Sequence, residues 1–192
     1  MSRIFNTIGS FVVDLTETLV IGLSLFLMVY LFLVQPHQVN GQSMVPNFQS
    51  GEYVLTDKLS YKMGQPKRGD VVVFHSPAAA NCPTGTGCDF IKRVIGLPGE
   101  TVAVKNNAIY INDQKLVESY IPQDFVISAG AYTKDGREIY LGEKEYFVSG
   151  DNRPYSSDSR AWGPIEKSDI VGKAFFVYWP IKSAGAIKPA SY

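Results

Sequence analysis

Between Leu19 and Val34 the chain reads LVIGLSLFLMVYLFLV, with no charge and no proline, and counting back through Thr18, Glu17 and Thr16 to Leu15 gives 20 positions. At ~1.5 Å per residue a helix of that length reaches ~30 Å, about one hydrocarbon thickness. The segment therefore predicts a transmembrane anchor over residues 15–34, preceded by a short N-terminal stretch, residues 1–14, and followed by one domain, residues 35–192. Two other readings compete. A buried core helix seldom runs this far without a polar face, and a cleaved leader has an apolar region of ~7–15 residues ending on small residues. This run is longer and ends Val34-Gln35-Pro36, so an uncleaved anchor fits better.

Charge placement bears on orientation. Arg3 is the only lysine or arginine before Lys58, which favours the N-terminus inside and the remainder outside. Asp14 and Glu17 are read as interfacial, near the positive end of the helix dipole. With 18 Lys+Arg against 18 Asp+Glu, the chain has no whole-molecule charge to attract nucleic acid. At 45% hydrophobic it is too apolar for a disordered polyelectrolyte.

Beyond Pro36 the pattern changes to short β-type runs: Tyr53–Thr56, Val71–Phe74, Val102–Val104, Ile109–Ile111, Tyr146–Val148 and Ala174–Trp179. A mainly β domain is expected. Asn106-Asn107 separates two of these runs, and because asparagine tolerates positive φ, Val102–Ile111 reads as a tight hairpin. Ala174–Ile181 is too short for a second span and contains Pro180.

Cys82 and Cys88 flank Pro83-Thr84-Gly85-Thr86-Gly87 and can close a small loop in an oxidising compartment. Two unpaired thiols, or half of a zinc site, are the other readings. The zinc site is poorly supplied, since only His37 and His75 remain as soft ligands. No HExxH or CxxC pattern occurs, so neither a metal nor a cofactor is expected. Both histidines read as ordinary loop residues, without a recognisable Ser-His-Asp arrangement.

Serine with lysine remains. Ser43 lies in Asn40-Gly41-Gln42-Ser43-Met44-Val45-Pro46, and Lys92 lies among apolar neighbours in Phe90-Ile91-Lys92-Arg93-Val94-Ile95-Gly96. A lysine acts as a base only when neutral, so its ordinary pKa of about 10.4 must fall to ~7–8, and desolvation is the available cause. Without a fold to bury it, Lys92 is a surface lysine.

Four segments in order change that balance: GQSMVP (Gly41–Pro46), RGDVVVF (Arg68–Phe74), FIKRVIGLPGE (Phe90–Glu100) and GDNRPYSSDSRAWG (Gly150–Gly163). Behind an apolar anchor they closely resemble the boxes of bacterial type I signal peptidases. The resemblance implies an antiparallel β domain carrying a membrane-bound serine endopeptidase that removes signal peptides from exported preproteins after an Ala-x-Ala site. It implies a bacterial cytoplasmic membrane location, single-pass, with the catalytic domain on the outer face and the lipid bilayer and signal peptides as partners. Box by box, Ser43 would be the nucleophile and Lys92 its general base, with the Ser43 backbone N–H donating to the oxyanion. Ser156 would hydrogen-bond and orient the lysine, while Asp151 with Arg93 and Asp158 with Arg160 would be ion pairs holding the loops. A departure is Gly41, where some members place a serine hydroxyl that helps bind the oxyanion.

Three rivals stay in view. A tethered binding module would show no turnover, and a self-cleaving SOS repressor of the same Ser/Lys fold would need a DNA-reading domain where this chain has its apolar helix. A peptidase dedicated to one pilus or conjugation substrate is not separated from a general one.

Overall fold

The apolar run forms the greater part of helix α1 (Ser2–Phe32). Its stretch Phe11–Tyr30, 20 residues, is nowhere buried against the rest of the chain. The computed structural model describes residues 2–80, 88–190 and 192. The helix starts well before Leu15 and stops at Phe32, so Val34, read from the sequence as the last residue of the anchor, instead opens a strand. Pro36 disfavours the helical region for Gln35, and the chain leaves the helix directly into strand pairing.

That strand is β1 (Val34–Gln38), which runs antiparallel to β2 (Tyr53–Asp57) with His37 opposite Val54. Pro36 is tolerated there because β1 is an edge strand. Next come the short helix α2 (Ser60–Met63), β3 (Val71–His75) and β4 (Asp89–Gly96). A second, smaller sheet follows, from β5 (Thr101–Lys105), β6 (Ala108–Ile111), β7 (Gln114–Lys115) and β8 (Ile139–Tyr140), in the order β7-β6-β5-β8. The chain then returns through β9 (Glu145–Ser149), helix α3 (Ser159–Trp162), β10 (Ile165–Glu166), β11 (Ile170–Trp179) and β12 (Gly185–Ala186). The large sheet has the order β1-β2-β11-β3-β4-β9-β10, with β12 on β11. The architecture is mainly antiparallel β behind one apolar helix.

The β5–β6 connection is the hairpin expected from Asn106-Asn107. Both residues have positive φ, 50° and 58°, and such a two-residue turn matches the right-handed twist of its strands.

Three apolar clusters hold the body together. Val102, Val104, Ile109 and Leu141 pack the small sheet onto Ile95 and Phe147. Phe74, Val94, Tyr146, Val148 and Ile165 fill one side of the large sheet. Met44, Phe48, Val54, Val71, Ala174 and Val177 fill another part, and this cluster carries the loop on which Ser43 sits.

Strand β4 is shared unevenly. Along one edge its residues Asp89 to Arg93 pair with β3, from His75 to Val71. Along the other, β9 pairs only from Arg93 onward, where Arg93 faces Ser149. Among the described residues, Asp89–Lys92 therefore present a free strand edge.

Cys82, and with it the Cys82–Cys88 bridge expected from the sequence, lies outside the described residues.

Candidate active site

Ser43 stands on the turn between β1 and β2. Gly41 enters that turn at φ +93°, a conformation suited to glycine, and its N–H donates to Ser50 Oγ at 3.2 Å. On either side of the serine the turn is nailed down: Met44 is 1% exposed and Phe48 3%. The carbonyls of Gln42 and Ser43 both accept hydrogen bonds from Asn152, at 2.9 Å from Nδ2 and 3.0 Å from its backbone N–H. One asparagine thus grips the turn at the nucleophile candidate itself.

Lys92 projects from β4 into the same place. Its Nζ lies 2.7 Å from Ser43 Oγ and donates to the Ile91 carbonyl at 3.1 Å. The Phe90 ring stands 5.4 Å from it, and the residue is 5% exposed. Burial lowers its pKa from the ordinary 10.5 to about 8, against the opposing pull of the Asp158 and Asp151 carboxylates. In the protonated state the ammonium donates to the serine. Once neutral, the same contact reverses and the hydroxyl donates to the amine lone pair.

Two buried ion pairs stand behind this dyad. Arg93 binds Asp151 through Nε at 2.8 Å and Nη2 at 2.6 Å, and stacks at 4.5 Å on the Tyr120 ring. Asp151 also accepts from Asn47 Nδ2 at 2.9 Å, which links the pair to the Ser43 turn. Arg160 binds Asp158 through Nε and Nη2, both at 2.8 Å. Burial alone would raise the Asp158 carboxyl, but Arg160, the Gly150 N–H and the Ser149 hydroxyl hold it below the usual carboxylate range.

Ser156 is placed differently from what the resemblance implies. Its Oγ is buried without a hydrogen-bond partner, and the bonds of Lys92 go to Ser43 and Ile91 instead. The hydroxyl is nonetheless close to the turn, since a Cβ added to Gly150 would collide with both Ser156 Oγ and the Ser43 carbonyl oxygen. The backbone must pass here without a side chain.

Several participants escaped sequence reasoning. Arg153 is fully buried and makes a bidentate pair with Glu118 at 2.5 Å, while its Nε donates to the Gly150 carbonyl at 3.0 Å. A second arginine inside the polar Gly150–Gly163 stretch was a signal for Arg153. Nothing local marked Glu118, which comes from the segment between the sheets. The histidines are strand residues, not loop residues: His37 belongs to β1 and His75 ends β3.

The dyad opens into a cleft of about 520 Å³, walled on one side by His37–Ser43 and on the other by the free edge Asp89–Lys92, with Val54 and Val73 between. Such an arrangement can hold an extended peptide and present a hydroxyl nucleophile beside a neutral amine.

Comparison with known proteins bears on the same stretch. The family described as "Signal peptidase, peptidase S26" matches residues 12–179. Signal peptidase IB of Staphylococcus aureus is 36% identical over 160 residues, covering 78% of this chain and 80% of that protein. The probable signal peptidase I-1 of Synechocystis sp. is 33% identical over 180 residues, covering 92% of this chain and 87% of its own length. A solved structure of a signal peptidase I from Enterococcus faecalis V583 is 30% identical, covers 56% of this chain and 95% of that one, and has a TM-score of 0.43.

Proposed function

Because the chain belongs to the signal peptidases of peptidase family S26 and is a hydrolase, we propose that it cleaves signal peptides from preproteins by a Ser43/Lys92 dyad after an Ala-x-Ala site. The observation that carries this reading is the 2.7 Å contact between Ser43 Oγ and a buried Lys92 amine whose pKa is lowered to about 8. An amine so tuned is neutral in a useful fraction near neutral pH, which an ordinary lysine is not.

In the reaction, Ser43 Oγ attacks the scissile carbonyl carbon while its proton passes to Lys92 Nζ. The negative charge gathers on the carbonyl oxygen, toward which the Ser43 backbone N–H is the donor, without help from a side chain at Gly41. Collapse breaks the C–N bond, and the Lys92 ammonium returns the proton to the leaving amine. Lys92, neutral again, takes a proton from water as it attacks the Ser43 ester; the C–Oγ bond then breaks, Ser43 Oγ recovers that proton from Lys92, and the acid leaves. Arg93–Asp151, Arg160–Asp158 and Ser156 position this machinery without meeting the substrate.

The substrate lies as an added strand on the free edge Asp89–Lys92, opposite Gln38–Gly41, so main-chain hydrogen bonds supply affinity. Side chains alternate along it, and two that face the cleft floor stand ~7 Å apart, which is the spacing that an Ala-x-Ala rule samples. Helix α1 anchors the enzyme in the bacterial cytoplasmic membrane, with the catalytic domain on the outer face. β1 follows α1 directly, which keeps Ser43 near the bilayer surface where a membrane-inserted leader emerges.

The test is cleavage of a preprotein with an Ala-x-Ala site by the full-length protein in detergent, with Ser43→Ala and Lys92→Ala in parallel. Wild-type cleavage after the second alanine, with both variants inactive by at least ~10³-fold, is the expected result. Cleavage by Ser43→Ala would overturn the dyad, and an inert wild type would return the chain to a tethered binding role.

A further inference from the structure

A backbone N–H stabilises a charged oxygen only if its peptide plane faces the right way. The Gln42–Ser43 bond is trans, so its carbonyl and its N–H point in opposite directions. The carbonyl points inward, accepting from Asn152 Nδ2 at 2.9 Å and from the Val45 N–H at 3.2 Å. Asn152 is 5% exposed and sits behind the turn, whereas Gln42 and Ser43 line the cleft. The Ser43 N–H is thereby turned to the cleft side, and among the described residues no acceptor takes it.

Asn152 is itself held on both sides. Asp151 before it is bound by Arg93, and Arg153 after it is bound by Glu118. Between them Asn152 has φ −82° and ψ 77°, and the Arg153 N–H reaches the Asp151 carbonyl at 3.1 Å, an inverse γ-turn. The other half of the Asn152 amide has no such support: Oδ1 is buried without a hydrogen-bond partner. A stranded acceptor weakens a fold, and flipping the amide is no remedy, because Oδ1 would then face the Gln42 carbonyl. A leucine fills a similar volume without that penalty, so packing does not account for an asparagine here.

We propose that Asn152 is a positioning residue that aims the oxyanion donor, holding the Gln42–Ser43 peptide so that the Ser43 N–H faces the scissile carbonyl oxygen before charge develops on it. The inference rests on the Ser/Lys reading above. Gly41 and Gln42 are both exposed, and Gly41 has φ +93°, so the solvent side of the turn does little to fix this plane. Asn152 supplies the restraint from the buried side, and the donor needs no reorganisation when the tetrahedral intermediate forms. Acting through Ser43, the asparagine does not meet the substrate, and its removal spares ground-state binding.

The experiment compares the full-length enzyme with Asn152→Leu and Asn152→Ala in detergent, on a preprotein with an Ala-x-Ala site and on two probes of one Ala-x-Ala peptide, ending in an aldehyde or in the corresponding alcohol. Addition of Ser43 Oγ to the aldehyde carbon forms a C–O bond, breaks the C=O π bond and moves the serine proton to Lys92, leaving the charge on an oxygen placed as the oxyanion is. The alcohol binds without that charge. In both variants kcat should fall about 10²-fold with KM within about threefold, and aldehyde affinity should fall with kcat while alcohol affinity stays. The pH–rate midpoint should remain at about 8, since Asn152 is not among the groups that set the Lys92 pKa. Asn152→Gln, which keeps the amide donor on a longer stem, should recover part of kcat. Asn152→Ala gives the same comparison if the leucine variant does not fold. Unchanged kcat overturns the role. So do equal weakening of both probes, a displaced pH midpoint or failure of every variant to fold, each of which marks Asn152 as a structural support of the whole turn. A wild type that neither cleaves the preprotein nor adds the aldehyde overturns the Ser/Lys reading, and this role with it.

Discussion

Lys92 Nζ meets Ser43 Oγ at 2.7 Å across 49 residues of sequence, one group carried by an edge-to-sheet turn and the other by an interior strand. The contact depends on two separate anchorages: Met44 and Phe48 sunk in the core under the turn, and Val72 paired opposite Lys92 in the sheet. Neither residue could find the other through local structure.

Activity should be governed by the Lys92 proton. Burial lowers this amine to about 8, and the base must be neutral, so kcat/KM rises with pH, about tenfold per unit well below the pKa, and levels above it. A pH–rate profile on a preprotein substrate measures this directly. A profile flat into the acidic range is incompatible with a lysine base.

The same burial makes Lys92 costly to the fold. Its folded pKa of about 8 lies below the ordinary 10.5, so the unfolded chain binds more protons between these values and stability rises with pH across that window. At pH 7 the charged amine is present in both states and its desolvation is fully felt. Lys92→Met should therefore be inactive yet more stable at pH 7, by up to about 3 kcal/mol, with the gain gone above about pH 10.5. Denaturant unfolding at the two pH values reads the difference.

Arg93 and Asp151 are 4% and 0% exposed at their side chains, so removing one leaves the other as an uncompensated buried charge. Asp151→Asn and Arg93→Met should each cost about 3–5 kcal/mol, and the double variant should cost less than their sum. Activity should fall in each single variant because Asn47 ties Asp151 to the Ser43 turn. A double-mutant cycle on thermal unfolding gives the coupling, and additive losses would contradict it.

Ser156 offers a separation of stability from activity. Its hydroxyl has no partner to strand, so Ser156→Ala should change stability by less than about 0.5 kcal/mol. If the hydroxyl turns to Lys92 during turnover, as its position beside the Ser43 carbonyl allows, kcat should drop about tenfold or more with KM little changed. Unaltered kcat would leave Ser156 a packing residue.

Much of the framework stands in local sequence. The apolar helix needs only its own residues, the Val102–Ile111 hairpin needs only two asparagines able to take positive φ, and the strands at Tyr53, Val71 and Tyr146 need only β-branched and aromatic runs. The end of the helix was harder to place, because hydropathy continues to Val34 while Pro36 and the pairing of Val34 with Asp57 draw the backbone into a strand. The Arg153–Glu118 pair and the grip of Asn152 on Gln42 and Ser43 were not legible, since each joins segments that carry no shared pattern.

Residue order alone determined the apolar span, the β-rich body and the four boxes that hold serine, lysine and their charged neighbours, because periodicity, turn chemistry and motif spacing are local properties. Tertiary structure decided what those residues are. It buried Lys92 to 5% exposure and so lowered its pKa, ended β9 opposite Arg93 so that Asp89–Lys92 kept a free edge, and set His37 Nε2 against Asp89 Oδ2 at 3.5 Å. Desolvation, unpaired edges and cross-cleft distances arise only when segments far apart in the chain are packed together, and no window of sequence contains them.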